Sequence, residues 1–209
     1  MKTIEINVYQ FSELSDEAKE VAREWYRNTS FENGFAWSGE AYDSLKAFCK
    51  RFNIKYRSAC FSQYSEVNYS LSDIDDTILD LSGKKLISYL WNYDDLIIQR
   101  KTYWFVRKPD GTRYMNAIGQ NSGKYVSKCQ WQPAECPFTG VCFDDDLLQP
   151  FQNAVRKGYV GTFGDLLEDC IQAWIKSANA DCKGQLSDSY IDEHLEINNY
   201  EFTEDGKRY

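Results

Sequence analysis

The chain holds one histidine, four prolines and two methionines in 209 residues, and it has no long apolar run. Four prolines and twelve glycines are too few for a low-complexity linker. No apolar stretch nears the roughly 18 residues that cross a bilayer, so no membrane association is expected. Positive charge is also in short supply: 24 Lys and Arg face 32 Asp and Glu, a formal net of −8. That balance argues against a general nucleic-acid binder, whose contact face must neutralise phosphate. The opening MKTIEINVYQF alternates polar with apolar residues and lacks the continuous apolar segment of a secretory signal, so a cytoplasmic location is expected. Seven cysteines, an odd number, fit free thiols better than a disulfide framework.

Aromatic residues are plentiful. Fifteen Tyr, twelve Phe and six Trp make 16% of the chain, and each ring can bury a large area. Intrinsic disorder is therefore excluded for most of the sequence, and the length suits a single globular domain over residues 1–209.

Periodicity places the elements. Ile4, Ile6 and Val8 alternate with polar residues, the two-residue period of a strand. Leu14, Ala18, Val21, Ala22 and Trp25 recur at helical spacing behind the N-cap Ser15, predicting a helix to about Asn28. An aromatic loop, FENGFAWSG, precedes a second helix marked by Ala41, Leu45, Phe48 and Phe52; a contact role for Phe35-Ala36-Trp37 is left open by the sequence. Alternation returns from Ile54 to Leu71, predicting two strands joined near Tyr64–Glu66. A short helix follows Ser82-Gly83. The hairpin signal is clear in KTYWFVRK, Pro109-Asp110-Gly111 and TRYMNA. Further on, a helix opens at Asp144-Asp145-Asp146 and stops at Arg156-Lys157-Gly158. A second, capped by Thr162, carries Phe163, Leu166, Leu167, Cys170, Ile171 and Trp174, and a last one spans about Ser187–Glu196. The expected class is α+β: one mostly antiparallel sheet flanked by about five or six helices.

Charge is segregated. Residues 84–130 hold nine basic and three acidic groups, whereas residues 131–209 hold six basic and fifteen acidic ones. A dense negative field of this kind steers a protein toward a basic surface. The partner-binding candidates are Asp144, Asp145, Asp146, Asp165, Glu168, Asp169, Asp188, Asp192 and Glu193. Two other chemistries are open to these residue types. Asp73, Asp75, Asp76 and Asp80, or Asp144–Asp146, offer oxygen ligands for a metal-dependent hydrolase, but such aspartates more often cap helices. Tyr103, Trp104, Phe105, Arg107, Lys108, Arg113 and Tyr114 are the residue types that bind single-stranded nucleic acid, though alternation turns half of the rings inward. Cys129, Cys136 and Cys142 with His194 fit a zinc site poorly, since structural zinc sites space their cysteines more closely. Nucleophile-elbow, Walker A, dinucleotide-binding and zinc-protease patterns are absent. A non-enzymatic protein without a cofactor is expected.

Tyr9-Gln-Phe-Ser-Glu-Leu-Ser-Asp-Glu-Ala-Lys-Glu-Val-Ala-Arg-Glu-Trp-Tyr26 resembles the opening F-x-E-L-S-x-x-A-K-x-x-A-R-x-W-Y of small phage and prophage accessory proteins. Cys60-Phe61-Ser62-Gln63 and Tyr200-Glu-Phe-Thr-Glu-Asp-Gly-Lys207 resemble two further segments of that group. The chain departs at Tyr64-Ser65-Glu66, where those proteins have Gly-Asp-Gly. The resemblance implies a phage accessory protein made in the host cytoplasm. By analogy, its expected role is to inhibit a host defence system of the CRISPR or restriction type, by blocking a basic nucleic-acid-binding surface with the acidic last third.

Overall fold

The computed structural model describes residues 7–93, 104–107, 113–116 and 136–209, the two short stretches in the middle as backbone. In chain order the elements are β1 (Tyr9–Gln10), a 3-10 turn (Phe11–Glu13), α1 (Asp16–Asn33), α2 (Ser38–Arg51), β2 (Lys55–Cys60), β3 (Glu66–Ser70), α3 (Asp76–Leu79) and α4 (Gly83–Leu90). They continue with β4 (Trp104–Arg107), β5 (Arg113–Asn116), α5 (Phe143–Lys157), α6 (Phe163–Gln185), α7 (Asp188–Ile197) and β6 (Glu201–Phe202). The class is α+β. Among the described residues the strands form three two-stranded ribbons, β1 with β6, β2 with β3 and β4 with β5, in place of the expected single sheet. Among the described residues, no helix is long and apolar enough to cross a membrane.

The chain divides into two compact units. The first comprises Met1–Asp43, Arg57–Asn68 and Ile175–Tyr209. Ser15 starts α1 by accepting the Ala18 N–H at 3.2 Å, with Asp16 and Glu17 in the first turn where the helix dipole favours acids. The buried side of α1, Ala18 and Ala22, packs with Phe11, Leu14, Ile191, Leu195 and Phe202. Small residues on α1 let the rings lie close to the helix: Phe202 meets Phe11 at 6.3 Å and Trp25 at 6.1 Å between centroids. β1 and β6 then pair antiparallel, Tyr9 opposite Phe202 and Gln10 opposite Glu201. Val8, just before the paired residues, is exposed; Ile4 and Ile6 of the expected strand lie outside the described residues.

Beyond β6 the chain turns through Thr203–Lys207. Thr203 donates its N–H to the Lys207 carbonyl at 2.9 Å and its hydroxyl to Asp205 at 2.6 Å, while Lys207 pairs with Asp205 at 2.5 Å. Gly206, at φ +81°, presses directly on α1; a Cβ there would lie 2.0 Å from the Ala18 carbonyl oxygen. Glycine is required twice over, by conformation and by contact.

The second unit comprises Ser44–Tyr56 and Tyr69–Trp174. Its core is a chain of rings centred on Phe52, with Phe48 at 4.8 Å, Tyr93 at 5.2 Å and Phe151 at 5.4 Å. Leu86, Leu90, Leu147, Leu148, Leu166 and Leu167 fill the space around them and are fully buried. α5 ends on Gly158 at φ +86° after Arg156 and Lys157, as the stop signal requires. Pro150 is accommodated inside this helix, past its first turn. The hairpin expected around residues 101–116 is present, with Val106 opposite Tyr114 and Arg107 opposite Arg113; its turn, Pro109-Asp110-Gly111, lies outside the described residues.

Candidate functional site

The acids singled out in the sequence do not behave alike once placed. In the second unit, Asp144 is completely buried. Its carboxylate accepts the N–H groups of Phe138 at 2.9 Å, Thr139 at 2.7 Å and Gly140 at 3.2 Å, and the Thr139 hydroxyl at 2.9 Å. It fixes the loop that leads into α5 and offers nothing to a partner, a correction to its place among the partner-binding residues. Asp165 closes a reciprocal cap on α6: it accepts the Thr162 N–H at 2.8 Å while the Thr162 hydroxyl accepts the Asp165 N–H at 3.2 Å. The Thr162 donors hold the Asp165 carboxyl below its ordinary range. Asp169 accepts the Tyr159 hydroxyl, and burial together with that carboxylate pushes the Tyr159 phenol up. Asp145 and Glu168 are exposed and Asp146 is half-buried.

In the first unit, two of the three remaining acids are ion-paired. Asp192 takes a two-point contact from Arg23, Nε to Oδ1 and Nη2 to Oδ2, each 2.7 Å. Asp188 accepts from Arg27, and both arginines also reach Glu20, at 3.1 and 3.0 Å. These pairs fasten α7 to α1. Planar guanidinium on carboxylate is the strong form of such a contact, and Asp192 and Arg23 are sheltered enough to hold it. Glu193, the third acid, points away from this network and is exposed.

Glu193 instead borders an open cleft of about 580 Å³ between the last turns of α6 and the start of α7. From α6 come Ser177, Asp181, Gly184 and Gln185, one stripe at helical spacing. Ser187, Ser189 and Tyr190 complete the side from which Glu193 projects. Burial pushes the Asp181 carboxyl above its ordinary range, partly offset by the Gln185 amide, which donates to Oδ2 at 2.7 Å. Gln185 is itself buried and clamps the loop between α1 and α2: its Oε1 accepts the Ala36 N–H at 2.9 Å and its Nε2 donates to the Ala36 carbonyl at 3.1 Å. Phe35 is thereby buried against Phe31, with rings 5.8 Å apart, whereas the next residue but one, Trp37, is 64% exposed at φ +63°. Asp181 and Gln185 escaped the sequence reading. The available signal was Ser177, Asp181 and Gln185 recurring every four residues in a helix otherwise read by its apolar stripe.

The other candidate chemistries resolve into local structure. Asp75 caps α3, accepting the Thr77 N–H at 2.8 Å, and Asp73 accepts from Ser72. Among the described residues, no group of three His, Cys, Asp or Glu side chains is arranged to hold a metal ion. The His194 ring lies among Tyr26, Tyr190 and Tyr200, stacked on Tyr190 at 5.9 Å. The six described cysteines are free thiols, and Cys129 lies outside the described residues. At Tyr64-Ser65-Glu66, Ser65 is buried and ties the loop, its N–H donating to Asn179 of α6 and its hydroxyl to the Ser62 carbonyl, while Tyr64 projects into solvent. No family model, curated protein or solved structure matches the chain.

Proposed function

We propose that the chain is a non-enzymatic, phage-encoded interaction protein that inhibits a host defence system, a CRISPR effector or restriction enzyme, by covering a basic nucleic-acid-binding surface in the host cytoplasm. Carboxylates presented at the surface stand in for phosphate oxygens and compete for the same Arg and Lys side chains. The observation that carries this reading is the acid left over after internal pairing. Arg23 and Arg27 neutralise Asp192 and Asp188, yet Asp145, Glu168 and Glu193 remain exposed in a region of fifteen acids and six bases. The partner-facing acids are accordingly Asp145 and Glu168 in the second unit and Glu193 in the first. Asp165, Asp169, Asp188 and Asp192 serve mainly to shape the helices that carry them.

The experiment is capture from host lysate at low and physiological salt, followed by a competition assay on the captured protein. A basic partner whose nucleic-acid binding falls as this protein is added supports the reading. Failure to capture any partner at either salt, or a captured partner that binds nucleic acid undisturbed, refutes it.

A second reading has one observation in its favour. The β4–β5 register sets Arg107 opposite Arg113, and like charges at paired positions are stabilised by an anion. Single-stranded DNA bound there would weaken steeply with salt and with Arg107→Ala.

A further inference from the structure

We infer that Trp37 is an anchor of the partner interface, its indole entering an apolar pocket of the partner protein that has basic side chains around its rim. This rests on the reading above and names the contact through which the acidic protein takes hold.

The loop that carries Trp37 is built on one buried ring and presents another. Phe35 turns inward, only 7% exposed, and meets Phe31 edge-on at 5.8 Å. Gln185, buried on α6, holds both the N–H and the carbonyl of Ala36, so the backbone leading into Trp37 is fixed. Trp37 projects outward from this base at 64% exposure, and Phe31, in the last turn of α1, is itself 55% exposed.

The local structure does not favour a tryptophan at position 37. Its φ of +63° lies in the left-handed region, where a Cβ crowds the backbone and glycine, asparagine or aspartate is the usual residue. Asn53 and Asn199, also at positive φ, follow that rule. Trp37 stands moreover at the N-cap of α2, where its carbonyl accepts the Ala41 N–H at 3.0 Å. An N-cap side chain ordinarily offers an oxygen to the free N–H groups of the first turn, and indole has only a donor. Glycine would relieve the backbone, and asparagine would relieve it and cap the helix as well. Strain of this kind gathers at functional sites, and an exposed indole held against it has its use outside the chain that carries it. Tyr64 is the contrast: it is 80% exposed without a positive φ, and a single surface ring kept at no backbone cost calls for no partner.

The surroundings of the ring define what it meets. Tryptophan is enriched among the residues that dominate interface energies, and a ring already held in place loses little freedom on docking. Glu32, before the loop, and Glu40, after it, are exposed, and the unit to which they belong holds eighteen Asp and Glu against nine Lys and Arg. An acidic rim would be repelled here and a basic one drawn in. The two glutamates do not make the site; they select which apolar pocket approaches it. An apolar centre inside a charged rim is the ordinary anatomy of a protein interface.

The test takes the basic protein captured by the parent, immobilises it and titrates it with the full-length parent and its variants by surface plasmon resonance, beside thermal unfolding of each variant alone. Trp37→Gly and Trp37→Asn should melt at or above the parent's Tm, because both residues accept the left-handed φ. Both should bind at least about thirtyfold more weakly, mainly through faster dissociation, the loss that marks a hot-spot residue. Glu32→Gln combined with Glu40→Gln should slow association at low salt and leave dissociation near the parent's rate. Binding of both Trp37 variants at the parent's affinity overturns the anchor. So does a Tm more than about 4 °C below the parent's in both, which would show that the fold itself needs the ring. A salt dependence unchanged in the double glutamate variant overturns the basic rim. In each of these cases the captured partner, and with it the broader reading, still stands. Failure to capture a partner at either salt refutes the broader reading and the anchor together.

Discussion

Replacing Gly206 by alanine adds one methyl group at a position with no room for it. The new Cβ would sit 2.0 Å from the Ala18 carbonyl oxygen, 2.8 Å from its carbon and 3.0 Å from its Cα. These are backbone atoms in the first turns of α1, held by helical hydrogen bonds, so the tail must move instead. The left-handed φ of +81° costs alanine about 1 kcal/mol. Overpacking adds about 1–3 kcal/mol, giving roughly 2–4 kcal/mol in all. For a chain of this size each kcal/mol lowers Tm by about 2–4 °C, so a fall of at least about 4 °C is expected by circular dichroism. Displacing the turn also loosens Phe202, which should make the last ten residues a preferred site of limited proteolysis. Gly39→Ala is the control: Gly39 lies in α2 with nothing within 4 Å of its added Cβ, so the change should hold or raise Tm. Equal melting of the two variants, or a Gly206→Ala tail as protease-resistant as the parent, would refute the close contact with α1.

Asp144→Ala should destabilise by about 2–4 kcal/mol in urea unfolding, because three backbone donors and a hydroxyl lose a charged acceptor, whereas Asp145→Ala should cost under about 1 kcal/mol. The Asp205 carboxyl is held down at about 2, by Lys207 first and then Thr203. A depressed folded value contributes stability above the unfolded pKa and loses it as pH falls through the folded one, so amide protection in the Thr203–Lys207 turn should decline between about pH 4 and pH 2. Constant protection over that window would contradict the pairing. Thiol titration should label Cys60 and Cys142 in the native protein, while Cys49, Cys170 and Cys182 react only on unfolding; burial pushes the Cys49 and Cys182 thiols up to about 12. Fast labelling of all three buried cysteines would show that the cores of both units are open.

Helices were the most legible part of the sequence, and most so where a capping side chain and an apolar stripe agree. Ser15, Thr162 and Ser187 all precede the helices they were expected to start. Ends were less legible. α1 runs on to Asn33 and α6 to Gln185, since Gly34 stops the first, while the polar stripe of the second faces a cleft instead of a core. The strand alternations around residues 54–71 gave β2 and β3 correctly, but alternation says nothing about which strands pair, and that is why one expected sheet became three ribbons. The candidate site was legible as charge and illegible as geometry. Composition gives Asp188, Asp192 and Glu193 equal weight. Only their distances from Arg23 and Arg27 separate the two that hold α7 in place from the one that faces solvent. Asp144 went further astray: its position at a helix start suggested an exposed dipole partner, yet the preceding loop folds back onto it.

The β1–β6 ribbon has a consequence for the order in which the protein is made. Tyr9 finds its partner only when Phe202 has been synthesised, and Phe11 and Trp25 wait for the same ring. A chain emerging from the ribosome therefore carries α1 with its apolar side uncovered until Phe202 has been made. The second unit, whose residues end at Trp174, is complete earlier. Slow translation between Trp174 and Glu201, or a stop before Glu201, should thus send nascent chains to chaperones with one unit formed and the other exposing its aromatic face.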